Sequence, residues 1–444
     1  MEIVVKVVQF ILSLSILVLL HEFGHFMMAK IFKTRVEKFY IFFNPWFSLF
    51  KFKKGDTEYG MGWLPLGGYV KISGMIDESM DIAQMKEPPK PYEFRAKPAW
   101  QRLLIMLGGV LVNFILAFFI YIMILFAWGE KYLPAENVKY GVVCDSLFTD
   151  VGMQTGDIVL SLDNQKLERF SDIIPTILLE SPKTMQVLRD GQLVNIDLPS
   201  SLVKNLLTYS SKGFAHKMLI EPRYPYSGEI VGFAEESPAK NAGIVVSDRF
   251  LRLNGETFTY YDEYTKIIRS HKNDTLQAEI LRGTDTLTVA IPVGADGIIG
   301  VGVKIDPAFD YAVKYYSFFE AIPAGIRMGI DQISSYLKQF KLFKNPEALK
   351  SVGGFLSIGN IFPGYWDWQA FWSLTALLSI ILGVMNLLPI PALDGGHVVF
   401  LLYEVITRRK PNEKFLENAQ IAGMIFLLLL LVLANTNDIL KLFH

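Results

Sequence analysis

The chain of 444 residues is too long for one ordinary domain, and its composition is divided between apolar and charged residues. Hydrophobic residues make up 51%, which is high for a water-soluble protein, whereas 20% charged residues are too many for a chain buried wholly in lipid. The net charge of -1 gives no basis for nucleic-acid binding, and a single cysteine, Cys144, excludes an intramolecular disulfide and a cysteine-based zinc site. We therefore expect membrane spans together with a water-exposed part.

The first predicted element is a transmembrane helix at residues 1–32. A cluster of three ionisable side chains lies in its second half. Ile3 to Leu20 is largely apolar, and no small-residue cleavage site follows it, so we expect the segment to be retained. His21, Glu22 and His25 come next, within the sequence HEFGH. Ionisable groups at the centre of a membrane helix cost at least ~2.5 kcal/mol each, so their presence calls for a function.

The spacing of the two histidines predicts a metal site. Residues i and i+4 share one helix face, so His21 and His25 can direct both imidazoles at one metal ion, with Glu22 beside them. This is the H-E-x-x-H pattern of zinc hydrolases, in which the glutamate acts on the hydrolytic water. The alternative is a pair of histidines that extend to a membrane edge, which leaves Glu22 without a role.

We predict a membrane-associated β region and loop on the cytoplasmic side at residues 33–100. The segments VEKFYIFF, WFSLFKF and YGMGWLPLGGYVKI are rich in aromatic and β-branched residues, which favours strands. Their outward aromatic side chains suit a membrane interface. A second transmembrane helix follows at residues 101–129, where the apolar run from Leu103 to Trp128 exceeds the ~20 residues that a span needs.

An internal repeat predicts two copies of a small domain, at residues 135–212 and 224–296. Gly152 to Asp163 aligns with Gly243 to Asn254 at a constant offset, and each segment precedes a helical stretch and an alternating strand. The second copy, best seen in Ser237 to Gly255, resembles a PDZ domain. The first copy is looser, because LFTD replaces the SPA element of the second.

Three more helical regions complete the chain. Apolar residues recur at helical spacing in residues 312–345, which predicts an amphipathic helix on the outer membrane surface or, as an alternative, a helix packed on the second repeat copy. A third transmembrane helix is predicted at residues 369–397, including an LDG motif, and a fourth at residues 416–436.

The distribution of Lys and Arg predicts the orientation of these spans. Positive clusters lie at residues 30–54, 95–102 and 408–414, and all three fall on the cytoplasmic side if the N-terminus lies outside. Both termini and the repeat region are then outside, and HEFGH lies near the cytoplasmic face. Lys6 and Lys441 oppose this orientation, but each is isolated.

Asp394 is the candidate for the third protein ligand that a catalytic zinc site requires. It follows the third apolar run within prolines and glycines, which break a helix and are tolerated at membrane depth only where they line a cavity or are buried. Two alternatives remain open from the residues alone: Asp394 as a helix cap in a loop, and His397, one turn further on, as the ligand.

Four motifs together resemble the site-2 protease family of intramembrane zinc metalloproteases. They are HEFGH, PLGGYVK (Pro65 to Lys71), GGVLVNF (Gly108 to Phe114) and NLLPIPALDGGH (Asn386 to His397). The PDZ-like pair between spans two and three is similar to that of the sigma-E regulator protease branch. One departure is GGVLVNF, where many relatives have a Gly-Pro pair, and we expect it to leave the chemistry unchanged.

The resemblance implies that His21, His25 and Asp394 bind zinc and that Glu22 is the catalytic base. It implies substrate-binding roles for six further residues: Asn386, Pro389, Pro391, Gly67, Gly68 and Tyr69. The implied architecture is a polytopic α-helical protein of the bacterial inner membrane, with four transmembrane helices, a membrane-associated β region and two periplasmic PDZ-like α+β domains. The implied substrates are single-span membrane proteins, either anti-sigma factors or remnant signal peptides, cleaved near the cytoplasmic side.

Two hypotheses compete with the protease. In the first, the protein is a membrane scaffold whose PDZ-like pair binds peptide tails and whose histidine site is structural. In the second, it is a metal transporter. Neither hypothesis explains Glu22, and a transporter would need more polar residues in its spans.

Overall fold

The computed structural model of the chain describes residues 1–65, 67–75, 88–211, 219–226, 228–304, 309–344 and 353–442. The chain divides into two compact units: the membrane unit, Met1–Glu130 with Lys314–His444, and the insert unit, Lys131–Val313. The predicted regions 33–100, 135–212, 224–296 and 312–345 each include residues outside the described ranges.

The helices are α1 (Glu2–Ile31), α2 (Ala99–Trp128), α3 (Ser146–Thr149), α4 (Ile173–Glu180), α5 (Ser201–Ser211), α6 (Pro238–Asn241), α7 (Tyr261–Ser270), α8 (Phe318–Gln339), α9 (Phe355–Ile361), α10 (Trp368–Leu387), α11 (Asp394–Thr407) and α12 (Glu413–Leu442). The strands are β1 (Val36–Ile41), β2 (Phe50–Lys54), β3 (Thr57–Met61), β4 (Tyr69–Ile72), β5 (Glu130–Tyr132), β6 (Val142–Cys144), β7 (Ile158–Leu162), β8 (Gln165–Lys166), β9 (Thr184–Arg189), β10 (Gln192–Asp197), β11 (Ile220–Pro222), β12 (Ile230–Phe233), β13 (Arg249–Leu253), β14 (Thr275–Arg282), β15 (Asp285–Pro292), β16 (Val301–Val303) and β17 (Ala312–Lys314).

Four helices among the described residues are long and apolar enough to span a membrane, as the sequence predicts. These are α1, α2, α10 and the part of α12 from Lys414 to Leu440. The apolar faces of α2 and α10 pack on one another, with Ala117 and Ile120 of α2 against Ala376 and Ile380 of α10. The described residues therefore contain the four candidate spans that the sequence predicts.

The third predicted span, residues 369–397, is two helices rather than one. α10 ends at Leu387 and α11 begins at Asp394. The loop between them contains Pro389 and Pro391, whose rings remove backbone donors and oppose a continuous helix. The break places Asp394 as the first residue of a new helix instead of the end of a span.

The β region is a four-stranded sheet with the order β2-β3-β1-β4. β1 pairs in parallel with β3 and antiparallel with β4, so β4 is an edge strand. The sheet packs on α1, where the ring of Phe26 lies 5.3 Å from that of Phe39 and 6.0 Å from that of Tyr59. The strands expected from the aromatic segments are therefore present. Trp46, in the loop between β1 and β2, is 90% exposed, and its insertion at a membrane interface stays a prediction.

The insert unit repeats one arrangement twice. In the first copy β7 pairs with β9, which pairs with β10, and in the second β13, β14 and β15 pair in the same order. A helix follows the first strand of each set, α4 in the first copy and α7 in the second. Each copy has its own apolar core, one around Phe148 and the other around Phe250. The predicted duplication is thus visible in the strand order.

Each copy also buries one carboxylate in the same set of contacts. In the first copy Arg189 donates to both oxygens of Asp157 at 2.7 Å and to the carbonyl of Gly152 at 2.8 Å. In the second copy Arg282 makes the same bonds to Asp248, at 2.8 and 2.7 Å, and to the carbonyl of Gly243 at 2.8 Å. The repeated aspartates of the sequence are therefore structural ion pairs.

α8 is amphipathic and packs on a spanning helix of the membrane unit. Its buried stripe of small residues, Ala321, Gly325 and Gly329, packs along α2. A Cβ added at Gly325 would lie 2.6 Å from the backbone nitrogen of Ile122, so only glycine permits this approach. The stripe therefore faces a spanning helix, and the placement of α8 on the outer membrane surface or on the second copy stays a prediction.

Candidate metal centre

Three side chains from two distant parts of the chain converge at the metal centre. His21 and His25 lie one turn apart on α1, and Asp394 opens α11. Oδ2 of Asp394 lies 3.2 Å from Nε2 of each histidine, and the two Nε2 atoms lie 3.3 Å apart. Within the described ranges of the chain, these three residues are the group whose ligand atoms could hold one metal ion.

The geometry of the three atoms fits the zinc ion that the sequence predicts. Zinc bound to nitrogen and oxygen at about 2.0–2.1 Å in a tetrahedron separates its ligand atoms by roughly 3.3 Å, which agrees with the observed distances. Oδ2 of Asp394 is buried and has no hydrogen-bond partner among the described residues, although both imidazoles lie beside it. A buried anionic oxygen and two nitrogen lone pairs therefore converge where a cation would satisfy all three.

The far side of each imidazole contacts α2. Nδ1 of His25 lies 2.9 Å from the carbonyl oxygen of Ile105, so this nitrogen carries the hydrogen and donates it. Nδ1 of His21 lies 3.0 Å from the side-chain amide of Asn113. These contacts turn Nε2 of both rings towards Asp394.

Glycines bring α1 and α2 close enough for these contacts. A Cβ added at Gly24 would lie 2.3 Å from the carbonyl oxygen of Gly108. A Cβ added at Gly109 would lie 2.4 Å from Nε2 of His25, where it would block the centre itself. The glycines of GGVLVNF are therefore needed for helix approach and for the space around the histidines.

A cavity of about 580 Å³ opens on the metal centre. Its walls include Glu22 and all three candidate ligands, together with four of the residues expected to bind substrate: Gly67, Gly68, Tyr69 and Asn386. Nδ2 of Asn386 lies 3.4 Å from Nε2 of His21. Glu22 and these four expected substrate-binding residues therefore share one space with the metal centre.

Two expected substrate-binding residues do not line this cavity. Pro389 is exposed in the loop between α10 and α11, and Pro391 packs against α12, where a Cβ at Gly423 would clash with its carbonyl oxygen. Their rings shape the break that starts α11 at Asp394. A role of these two prolines in substrate binding stays a prediction.

The structure also separates the alternatives left open for Asp394. His397 lines the cavity, but it is not among the three side chains with converging ligand atoms. Asp394 is not a helix cap, because Leu393 occupies the cap position of α11 and Asp394 is the first helical residue. Of the other histidines, His271 belongs to the insert unit, and His216 and His444 lie outside the described residues.

Asn113 is a residue of the centre that the sequence reasoning missed. The motif GGVLVNF carried only a resemblance, and its asparagine received no role. A signal was present, because Asn113 is an amide inside an apolar span, and a polar group at that depth needs a partner. Its partner, His21, could not be named without the packing of α1 on α2.

Comparisons with known proteins agree with this centre. A model of Peptidase family M50 matches residues 9–430. The chain is 29% identical over 458 residues to a candidate zinc metalloprotease of Neisseria meningitidis, with 98% of each sequence covered. It is 27% identical over 450 residues to the regulator of sigma-E protease RseP of Escherichia coli, with 97% of each covered. It is 26% identical over 451 residues to the metalloprotease MmpA of Caulobacter vibrioides, covering 98% of this chain and 95% of the relative. Since the family match includes both HEFGH and Asp394, the chain belongs to peptidase family M50, the site-2 protease family of zinc metalloproteases.

Proposed function

We propose that this zinc metalloprotease cleaves the transmembrane segments of single-span membrane proteins. The observation that carries the proposal is the position of its chemistry on a spanning helix. His21, Glu22 and His25 lie on α1, which is long and apolar enough to cross a membrane, and α11 brings Asp394 to them. A peptide bond that reaches this centre must itself be at membrane depth.

In this proposal His21, His25 and Asp394 hold the zinc ion, and three protein ligands leave the fourth position free. Zinc, when bound there, supplies Lewis-acid chemistry that polarises the scissile carbonyl and makes water more acidic. Glu22 acts as general base: its carboxylate takes a proton from the attacking water and delivers it to the leaving nitrogen. The side-chain amide of Asn386, which lines the same cavity, donates to the substrate carbonyl.

β4 holds the substrate in an extended form. A transmembrane helix hides its carbonyls in its own hydrogen bonds, so the segment must unwind before hydrolysis. β4 lies at the edge of its sheet, and we propose that an unwound substrate strand pairs with its backbone there. Gly68 lets this edge approach the catalytic helix, since a Cβ there would lie 3.1 Å from Cγ1 of Val18 and 3.6 Å from Cγ of Glu22, both on α1. Gly67 and Tyr69 line the cavity on the same segment.

The substrates we propose are anti-sigma-factor-like proteins or remnant signal peptides. Two relatives carry the name regulator of sigma-E protease. We take this name to imply that an anti-sigma factor is the substrate of regulated proteolysis. The insert unit is proposed to be a pair of PDZ-like domains on the periplasmic side of the inner membrane. There it admits substrates that have already lost their bulky outer parts.

The general-base role is tested by Glu22→Gln, which keeps the size of the side chain but cannot carry a proton. We expect zinc content to stay at the wild-type level while cleavage of a single-span model substrate in proteoliposomes disappears. The matched control is Glu417→Gln, a carboxylate of the same unit that lies outside the metal cavity, and it should cleave normally. Cleavage at the wild-type rate by Glu22→Gln would contradict the mechanism, and it would reopen the scaffold and transporter hypotheses.

The orientation is tested by cysteine labelling after replacement of Cys144 by alanine. A cysteine at Asn273 in the insert unit should react with an impermeant maleimide on intact spheroplasts. A cysteine at Arg409, between α11 and α12, should react only after permeabilisation. The opposite pattern would reverse the proposed topology.

A further inference from the structure

The two histidines of the metal centre differ in what holds them. His25 contacts a backbone carbonyl, that of Ile105, which is present whatever side chain stands at that position. His21 contacts a side chain, the carboxamide of Asn113, on the same helix α2. The orientation of His21 therefore depends on the identity of one residue, and that of His25 does not.

The carboxamide of Asn113 is wholly buried, and its two ends have different surroundings. Its nitrogen is placed 3.0 Å from Nδ1 of His21, while its oxygen is buried without a partner. The two ends of a carboxamide have nearly the same size, so their assignment follows from hydrogen-bonding partners. If Nε2 of His21 binds a metal, Nδ1 carries the hydrogen, and the group facing it must be an acceptor.

We propose that Asn113 is a positioning residue of the metal centre, whose side-chain oxygen accepts the hydrogen of Nδ1 of His21 and so aims Nε2 at the zinc ion. The proposal rests on the ligand set His21, His25 and Asp394. It adds a residue that touches neither substrate nor metal and acts through His21. Its chemistry is that of an outer partner of a metal-bound imidazole, which fixes the tautomer and increases the basicity of the ligand nitrogen.

The backbone of Asn113 is itself held from a third helix. Oγ of Ser379, on α10, donates to the carbonyl oxygen of Asn113 at 2.7 Å, and both residues are fully buried. One turn earlier on α10, Oγ1 of Thr375 lies 2.9 Å from Oγ of Ser13 on α1. Polar contacts thus link α10 to both α2 and α1. They limit rotation of α2 about its axis.

The test measures zinc affinity of the full-length protein in nanodiscs by competition with a chelator, rather than activity. Loss of an outer partner typically costs about 10–100-fold in metal affinity, so Asn113→Leu should weaken zinc binding by that factor. Asn113→Asp keeps an acceptor facing Nδ1, and it should bind zinc at least as tightly as the wild-type protein. The visible absorption of the cobalt-loaded protein, which reports ligand geometry, should change in Asn113→Leu and return in Asn113→Asp.

Gln9→Leu is the matched control. Gln9 is another fully buried carboxamide of the membrane unit, with one atom bonded to the carbonyl of Pro363 at 2.8 Å and the other without a partner. It contacts no candidate ligand, so its loss should leave zinc affinity and the cobalt spectrum unchanged.

Three results would overturn the proposal: wild-type zinc affinity in Asn113→Leu, an equal loss in Gln9→Leu, or Asn113→Asp no better than Asn113→Leu. If Asn113→Leu does not fold, Asn113→Asp decides alone, because weaker zinc binding there contradicts an acceptor role. Failure of the ligand set is distinguished by Asp394→Ala: if that variant keeps zinc, the ligand assignment is wrong whatever Asn113 does.

Discussion

Both units of the molecule bury carboxylates, but the partners of those carboxylates differ. In the insert unit Asp157 and Asp248 each receive two hydrogen bonds from an arginine and one from a backbone N–H, that of Gln154 or Val245. In the membrane unit Asp394 faces two imidazoles, and its buried oxygen has no hydrogen-bond partner among the described residues. The first two carboxylates are neutralised within the protein, and we propose that a cation neutralises the third.

This difference shows that burial of a carboxylate is not by itself a sign of function. An arginine is charged at every accessible pH and forms a permanent pair, so Asp157 and Asp248 need nothing further. An imidazole whose Nδ1 already donates elsewhere presents a lone pair from Nε2, and a lone pair does not neutralise a carboxylate. The functional signal in this chain is therefore a buried carboxylate whose neighbours are also electron-pair donors.

The largest expected effect comes from removing Asp394. Asp394→Ala should lower bound zinc and reduce cleavage at least ~1000-fold, because Lewis-acid catalysis contributes several kcal/mol to the transition state. His397→Ala, which alters the same cavity without removing a converging ligand atom, is the control and should do much less. Both variants are measured by metal analysis and by cleavage of a single-span substrate. If His397→Ala loses zinc while Asp394→Ala keeps it, the comparison between the two units no longer holds.

The next effect concerns stability rather than chemistry. Arg189→Met leaves the carboxylate of Asp157 buried without its cation, which should cost about 3 kcal/mol of stability in the first copy. Hydrogen exchange of the β7 and β9 amides in the full-length protein measures this cost. Arg252→Met is the control, since Arg252 forms an exposed pair with Glu279 at 3.9 Å that should contribute less than ~1 kcal/mol. Zinc content should be unchanged in both, and loss of zinc in Arg189→Met would contradict a purely structural role.

A smaller effect should appear with pH in the second copy. Burial alone would raise the pKa of Asp248, but hydrogen bonds from Arg282 and from the N–H of Val245 outweigh it and lower the pKa below its usual value. A carboxyl with a lowered folded-state pKa stabilises the fold above its unfolded pKa of ~3.9, and this stabilisation is lost as pH falls through the folded-state pKa. Protection of the β13 and β14 amides from hydrogen exchange, measured relative to the intrinsic exchange rate at each pH, should therefore fall below about pH 4.

Asp248→Asn is the variant that checks this cause. It removes the titrating group, so the acid-induced loss of protection in β13 and β14 should become shallower than in the wild-type protein. An unchanged acid profile would assign the effect to other carboxyls of the insert unit.

The smallest effect is expected from removing most of the insert unit. Deletion of Tyr140 to Val293, with a short linker in its place, should leave the rate of peptide-bond cleavage unchanged for a substrate that has already been trimmed. Untrimmed substrates should then also be cleaved, because the size filter is gone. Complete inactivity of a folded, zinc-loaded deletion protein would make the insert unit part of the catalytic machinery.

Local patterns in the sequence are sufficient to predict much of the fold. The spans follow from runs of apolar residues, because a bilayer requires every backbone group to be bonded within its own helix. The approach of His21 and His25 follows from their i, i+4 spacing, and the duplication of the insert follows from aligned Gly and Asp residues. Each of these features depends on residues near one another in the chain.

Other features were decided by tertiary structure, because they depend on contacts between distant segments. Prolines in the third predicted span indicated a broken helix, but only the fold shows that α11 starts at Asp394 and carries its oxygen to within 3.2 Å of His21 and His25. The small residues of α8 carry no information about which helix they will contact, and only packing selects α2. In the sequence Asn113 is an isolated amide in an apolar helix. The contact of α1 with α2 at their glycines places it beside His21. The sequence by itself determined which residues are costly to bury, and the tertiary structure decided which of them satisfy one another.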